Sequence, residues 1–480
     1  MEDNGNNKKV LYETQEEILY RGRQAVGLTF GEMDRYSRAD SKEVKGGVGH
    51  VVEESWYGYP INSKAEPDFP EAGVELKVTG VVRDKNGEYR AKERLVLNII
   101  NYMKEVKTTF ETSSFWRKTK TLMLFVYEYL KGRPRSEFPV IAAELFTYPM
   151  ADLLIIRDDW SKIVGKIREG KAHEISEGDT LYLGACTKGA TAESSMKPQP
   201  YSDILAKQRA YCLKNKYMTY VIRTHIFGKR RDESIIRDIR SLKGKSFEEY
   251  VIGKLEEYRG KTVEELKERF MVASKAKNLE SMLAFRILGV KGNKAEELEK
   301  AGVVVKTIRV NHNGTIKENM SFPAFKYQEL AKEEWEDSIF GNYLRDTRFL
   351  FIVFRFDADG KKRLLGGQFW NIPYADLEGN VKQVWEETRD IIKKGWLSVS
   401  ICNGTMQNNF PKQKDNPVSH VRPHGQTREG SVNALPEGTK VNIVSTDGSY
   451  VWPYEDKFPD HCFWLNRTYI LSQLDERFKQ

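Results

Sequence analysis

The sequence predicts an α/β (α+β) protein made of two tandem copies of one domain, and three observations carry that prediction. Helix-like and strand-like segments alternate along the chain. Residues 122–128 (LMLFVYE) form a continuous apolar run of the length of a buried central strand. The stretch 71–90 aligns with 300–319 without a gap. At 480 residues the chain also exceeds what one ordinary core fills, so two or more domains are expected.

In chain order, residues 14–26 and 45–57 read as helices, and 73–83 and 121–128 as strands. Residues 158–170, DDWSKIVGKIREG, read as an amphipathic helix with an aspartate near its start and a glycine at its end. From about 230 to 275 the chain becomes charge-dense and helix-prone, suiting a connecting segment or the opening helices of a second domain. The repeat follows. EAGVELKVTGVVRDKNGEYR (71–90) matches KAGVVVKTIRVNHNGTIKEN (300–319), and Gly73/Gly302 and Asn86-Gly87/Asn313-Gly314 share the offset of 229 residues. FWRKTKTLMLFVYEY (115–129) has a counterpart in YLRDTRFLFIVFRF (343–356), and AYCLKNKYM (210–218) in CFWLNRTYI (462–470). Three matches in one order imply a duplication. The expected layout is 1–228 as a first domain, 229–275 as a helical connection and 276–480 as the second copy.

No run of 18 apolar residues occurs, so no membrane span is expected. The opening segment MEDNGNNKKVLYETQEE lacks the apolar centre of a secretory signal, which points to the cytoplasm. Cys186, Cys212, Cys402 and Cys462 are scattered without a CxxC pair, so a zinc ribbon or disulfide framework is not expected. The net charge of +8 is modest for this length; it is compatible with neutralising phosphates on one face without establishing it. Basic residues cluster at Lys229-Arg230-Arg231 and between Lys207 and Lys216.

The chemistry concentrates in Asp68-Phe-Pro-Glu-Ala-Gly-Val-Glu75-Leu-Lys77. On a strand, Glu75 and Lys77 project to one face while Val74, Leu76 and Val78 project to the other. Pro70 and Gly73 allow the preceding segment to bring Asp68 back towards Glu75. Two carboxylates suffice to hold Mg²⁺, which keeps several of its waters, and a lysine beside them can orient or deprotonate a water or stabilise charge on a phosphate. That set fits phosphodiester hydrolysis. By itself the pattern is weak, since a solvated strand face can produce it.

Longer phrases sharpen the reading. KGGVGHVVEESWYG and DFPEAGVELK resemble MutH, the mismatch-repair endonuclease, in motif and order. KERLVLNIINY, FETSSF, EGKAHE, TKGA and QPYSDILAKQRAYCLK are similar to the Sau-type restriction endonucleases, MutH-like members of the PD-(D/E)xK nuclease superfamily that cut at GATC. The resemblance covers residues 40–225 strongly and the C-terminal half more loosely. It implies a type II restriction endonuclease with Asp68 and Glu75 as Mg²⁺ ligands, Lys77 as catalytic lysine, Glu53 as an additional acidic ligand and Lys118 as a further active-site lysine. Glu54 competes with Glu53 because one extra residue precedes Gly58, and Lys120 lies near enough to blur Lys118. Arg209 fits an arginine on the DNA-recognition side, with Lys207, Lys188, Tyr201 and Ser202 as weaker candidates for DNA contact.

In the second copy Val304 stands where Glu75 does, Lys306 matches Lys77, Asp68 falls near Glu297 and Ala284 replaces Glu53. Valine does not bind Mg²⁺, so this copy is expected to be degenerate and its Val303-Val304-Val305 strand to be packed on both faces. Arg422, His424, Arg428, His461 and Arg467 are its candidate DNA contacts, and an allosteric effector role is expected from the resemblance. The implied partner is double-stranded DNA containing GATC, with two chains brought together on it and no physical need for a companion methyltransferase. Two other readings stand beside this one: a mismatch-repair-type nicking enzyme, and a DNA-binding protein that no longer cuts. A histidine-based nuclease is disfavoured because His312 lacks a second histidine at helical spacing.

Overall fold

A computed structural model describes residues 12–41, 46–61, 66–189, 195–273, 278–424 and 431–479. The chain divides into two compact units, residues 1–247 with 290–303, and residues 248–289 with 304–480. Among the described residues no helix is long and apolar enough to cross a membrane.

The first unit carries β1 (Glu75–Arg83), β2 (Tyr89–Ala91), β3 (Leu95–Ile99), β4 (Thr121–Glu128), β5 (Val140–Thr147), β6 (Leu183–Thr187), β7 (Met196–Gln199), β8 (Ser202–Lys207) and β9 (Arg209–Leu213). Its main sheet has the order β2-β1-β4-β5. β1 runs parallel to β4 with Glu75 opposite Leu122, while β2 and β5 are antiparallel additions. The apolar run read from the sequence is β4, the fully buried central strand, as a strand covered on both faces should be. A smaller antiparallel sheet, β3-β9-β6, completes the frame, and β7 and β8 form a hairpin. Val74, Leu76 and Val78 point into a core with Phe69, Tyr57, Met123 and Phe125, leaving Glu75 and Lys77 on the other face of β1.

The second unit carries β10 (Val304–Val310), β11 (Met320–Ala324), β12 (Phe349–Phe356), β13 (Lys362–Trp370), β14 (Ser398–Cys402), β15 (Thr405–Asn408), β16 (Ser419–Pro423), β17 (Val432–Ala434), β18 (Asn442–Thr446), β19 (Lys457–Pro459) and β20 (His461–Leu465). The topology repeats. β10 is parallel to β12 with Val304 opposite Phe349, β13 is antiparallel to β12, and the small sheet β11-β20-β16 matches β3-β9-β6. The order β15-β14-β18 and the pair β17-β19 are further sheets of this unit.

A shared hydrogen bond strengthens the correspondence, and it escaped the sequence reading. Pro149-Met-Ala-Asp152 and Pro373-Tyr-Ala-Asp376 each open a helical stretch whose aspartate accepts a tyrosine hydroxyl. Tyr217 donates to Asp152 at 3.0 Å and Tyr469 to Asp376 at 2.8 Å. In the first unit Asp152 also meets Lys300, 2.7 Å away, and that ammonium lies 2.7 Å from Glu296 as well. The Asp152–Lys300 pair is almost fully buried, so removing one partner strands the other in low dielectric. We expect Asp152→Ala to lower stability by about 3 kcal/mol, measured as a shifted denaturant midpoint of the full chain. A change within about 0.5 kcal/mol would show the pair to be dispensable.

Several sequence expectations are corrected. The helix read over 158–170 begins at Met150 and runs to Arg168. Asp158 is not its start but an interior residue, paired with Lys162 at 3.0 Å. The segment 229–275 is not one helical connection: it holds Phe247–Glu256 and Val263–Arg269, and residues 229–247 belong to the first unit. Val304 and Val305 are half-buried on the edge strand β10 and not packed on both faces, and Val303, also half-buried, precedes the strand. Glu297 lies in the first unit, its carboxylate accepting the backbone N–H groups of Ile235 and Ile236 and the Ser234 hydroxyl, so it is a structural group and no counterpart of Asp68. Ala284 is buried in the helix Leu279–Ile287. The four cysteines are free thiols, with Cys402 alone exposed. Lys45, at the start of the second expected helix, and Arg428 lie outside the described residues.

Candidate active site

β1 enters the site through a closed turn. Phe69 and Val74 exchange backbone hydrogen bonds of 2.9 and 3.1 Å, and Gly73 takes φ +63°, a conformation that favours glycine. This turn sets Asp68 beside the start of β1. The Asp68 N–H donates to Glu75 Oε2 at 3.2 Å, and the Leu76 N–H donates to Asp68 Oδ2 at 3.0 Å. The two carboxylates are thereby held side by side by main-chain donors, on the stretch of β1 that β2 leaves unpaired.

Two ammonium groups converge on Glu75. Lys77 Nζ lies 2.6 Å from Glu75 Oε1, and Lys118 Nζ lies 3.5 Å from the same oxygen. Lys118 comes from the helix Ser114–Thr119, whose cap is Ser113, the side chain accepting the Trp116 N–H at 3.1 Å. Lys120 is exposed and approaches Gly73 instead, so of the two lysines it is Lys118 that the fold brings to Glu75.

Glu53 reaches the site from the segment Gly47–His50, which continues as a π-helical turn over Val51–Trp56. The wider turn is closed by Tyr57 N–H donating to Val52 O at 3.1 Å, and it is pinned by Tyr57 Oη donating to Ile18 O at 2.8 Å. A π-turn accommodates one added residue in a helix, and such turns recur at functional sites. Here it separates the neighbouring glutamates. Glu54 turns to Arg38, whose Nη2 donates to its Oε1 at 3.1 Å, while Glu53 faces Asp68, Glu75, Lys77 and Lys118.

Burial and like charge raise both inner carboxyls. Burial, then the repulsion of Asp68 and Glu75, pushes Glu53 up to about 7. Burial raises Glu75 to about 7 against the opposing pull of Lys77. Among the described residues no three carboxylate, histidine or cysteine side chains meet as a closed metal cage. The adjacent oxygens of Asp68 and Glu75, with Glu53 within range of their charge, are instead the open, hard-oxygen donor set that suits a divalent cation retaining its waters.

The expected DNA-contact residues are placed unequally. Lys188 and Lys207 are half-buried, Lys188 following β6 and Lys207 ending β8, while Tyr201 is exposed with φ +62° at the β7–β8 turn. Arg209 is buried, and its Nη1 donates to Ala185 O at 2.6 Å, so its guanidinium supports β6 in this conformation. In the second unit Arg422 and His424 are exposed. His461 is a buried core residue: Nε2 meets the Asn408 side-chain amide at 2.9 Å and Nδ1 lies 2.7 Å from Pro459 O, which corrects its assignment as a DNA contact.

A pair of carboxylates held by strand backbone and faced by two lysines, on a mixed sheet, is an arrangement that suits a nuclease. The chain belongs to the family of type II restriction enzymes represented by type II restriction enzyme Sau3AI of Staphylococcus aureus, with which it is 40% identical over 490 residues, spanning 97% of this chain and 99% of that protein. It is therefore a site-specific deoxyribonuclease. The family described as DNA mismatch repair enzyme MutH matches residues 57–159, which include Asp68, Glu75, Lys77 and Lys118. DNA mismatch repair protein MutH of Shigella boydii is 27% identical over 219 residues, 44% of this chain and 93% of its own. The MutH of Shewanella woodyi is 28% identical over 185 residues, 38% of this chain and 78% of its own.

Proposed function

We infer that the protein is a Mg²⁺-dependent restriction endonuclease that hydrolyses double-stranded DNA at GATC, cutting with the first unit and binding a further stretch of DNA with the second. The observation that carries the reading is Glu75, set beside Asp68 by two main-chain hydrogen bonds and faced by Lys77 and Lys118. Asp68 and Glu75 would hold the metal, with Glu53 adding negative charge behind them. Bound Mg²⁺ would supply Lewis-acid polarisation of the phosphate and a more acidic water. Lys77, alongside, orients or deprotonates the attacking water, and Lys118 places positive charge where the phosphate oxygens gather it.

In the second unit Val304 and Ala284 stand where Glu75 and Glu53 do, which supports a non-cutting role, and exposed Arg422 and His424 are its proposed DNA contacts. A nicking role in mismatch repair is the second reading, favoured by the MutH match to residues 57–159. The full-length similarity to a type II restriction enzyme supports restriction over it.

The test is digestion of a plasmid with known GATC sites, with Mg²⁺ or with EDTA, by wild type and Glu75→Ala. Metal-dependent fragments ending at GATC, absent with the variant, are expected. Fragments at another sequence would discard the specificity and keep the chemistry, and tight binding without cutting would turn the reading to a DNA-binding protein. With one competent centre per chain, the same digestion under single-turnover conditions should nick first or need two chains on the DNA. Simultaneous double-strand breaks by isolated monomers would overturn that stoichiometry.

A further inference from the structure

The second unit keeps the lysine of the strand motif while losing the acids around it. On β10, Lys306 lies on the same face as Val304 and Ile308, and among the described residues its ammonium has no hydrogen bond or ion pair. It lines an open cavity of about 440 Å³ together with Thr307, Ile308, Arg309 and residues 316–321. A second cavity of about 300 Å³, lined by Lys317 and Arg467, shares Asn311 and Ile316 with the first.

The charges around the cavity are unevenly matched. Arg309 Nη2 lies 3.3 Å from Glu280 and its Nη1 3.3 Å from the exposed Glu318, while Lys362 is paired with Glu280 as well. Those two carboxylates are thus engaged with Arg309 and Lys362, leaving Lys306 and Lys317 as ammonium groups without a carboxylate. Burial pushes Lys306 below the ordinary lysine range. β10 is the edge of its sheet, bridged on the far side at Val310 by Ile316. A half-buried ammonium without a carboxylate, beside an open cavity that Lys317 and Arg309 also line, is complementary to an oxyanion, and a lysine acts on phosphate as a point charge.

We propose that the cavity beside β10 is a phosphate site, in which Lys306 contacts the oxyanion of a phosphate ester and Lys317 and Arg309 flank it. The ester is either a diester of a nucleic-acid backbone or the monoester of a free nucleotide; both present the same oxygens. The site does not require the second unit to influence cutting, so it stands or falls separately from the effector reading.

The test labels lysines of the intact wild-type protein with acetic anhydride and reads modification of Lys306 by mass spectrometry. Four arms at matched ionic strength contain sodium chloride, sodium phosphate, a deoxynucleoside 5′-monophosphate, or a duplex lacking GATC. Protection of Lys306 by about fivefold or more relative to chloride is expected in at least one phosphate-bearing arm. Protection by inorganic phosphate and the nucleotide would assign a monoester site, and protection by the duplex alone a diester site. Equal modification in all four arms overturns the proposal. A Lys306→Met chain should lose the phosphate-dependent rise in melting temperature, and retention of the wild-type rise overturns it equally. Stimulation of plasmid cutting by added GATC duplex, run in parallel, reports on the effector reading alone.

Discussion

Glu75→Gln is expected to cut DNA about 10³-fold more slowly than wild type, or worse, while still binding it. The substitution keeps the shape of the side chain and an oxygen able to accept the Asp68 N–H, so the turn Phe69–Val74 has no reason to move. What it removes is charge. The amide is a poor ligand for a hard cation, and Lys77 and Lys118 lose the carboxylate on which both converge. Two freed ammonium groups should hold a phosphate at least as well as before, so duplex affinity without metal is expected to be unchanged or tighter. The loss therefore falls on the rate of cutting and not on binding, a split that global misfolding would not produce. Single-turnover cleavage together with a mobility-shift titration separates the two. A variant within about tenfold of the wild-type rate would remove Glu75 from the chemistry.

The split also shows which parts of the site were legible in the sequence. Alternation placed Glu75 and Lys77 on one face of β1 and Val74, Leu76 and Val78 on the other, since a strand with a buried side has only one register available. The return of Asp68 followed from Pro70 and Gly73, local turn chemistry that needs no partner. The repeat is legible because Asn86-Gly87 and Asn313-Gly314 keep the offset of Gly73 and Gly302, and β4 and β12 are both 8 residues long. The resemblance favours Glu53 and leaves Glu54 as the alternative, because the π-turn over Val51–Trp56, which turns Glu54 towards Arg38, is not legible in the sequence. His461 and Arg209 are candidate DNA contacts by residue type and resemblance, which suggest a role but not an exposure. Their burial follows from β20 and β9 each being the central strand of a three-stranded sheet. The helix Met150–Arg168 began later in the sequence reading because its first turns, MADLLII, are apolar enough to pass for a strand, and Asp158 imitates a cap.

Cleavage at limiting Mg²⁺ is expected to rise steeply with pH up to about neutrality and then level off. Glu53 and Glu75 each lie at about 7 where an ordinary glutamate lies at 4.5, raised by burial and by the neighbouring acids. A protonated carboxyl is a poor metal ligand, so the competent state has released both protons. Because the two acids repel, they titrate as a pair, and below neutrality the logarithm of the rate should climb with a slope of between about one and two per pH unit. Mg²⁺ and protons compete for the same oxygens, so more metal should move the profile to lower pH. The folded protein holds these protons more tightly than the unfolded chain does, and between the ordinary value of 4.5 and about 7 it binds more of them. Stability without metal therefore falls as pH rises through that window, and saturating Mg²⁺ restores it above the window. Glu53→Gln takes one acid out of the pair. It should reduce the slope towards about one and raise the metal-free melting temperature at alkaline pH by about 2 °C or more. A wild-type rate flat from about pH 5.5 to 8, with the same melting temperature for wild type and variant, would mean that neither carboxyl governs metal capture.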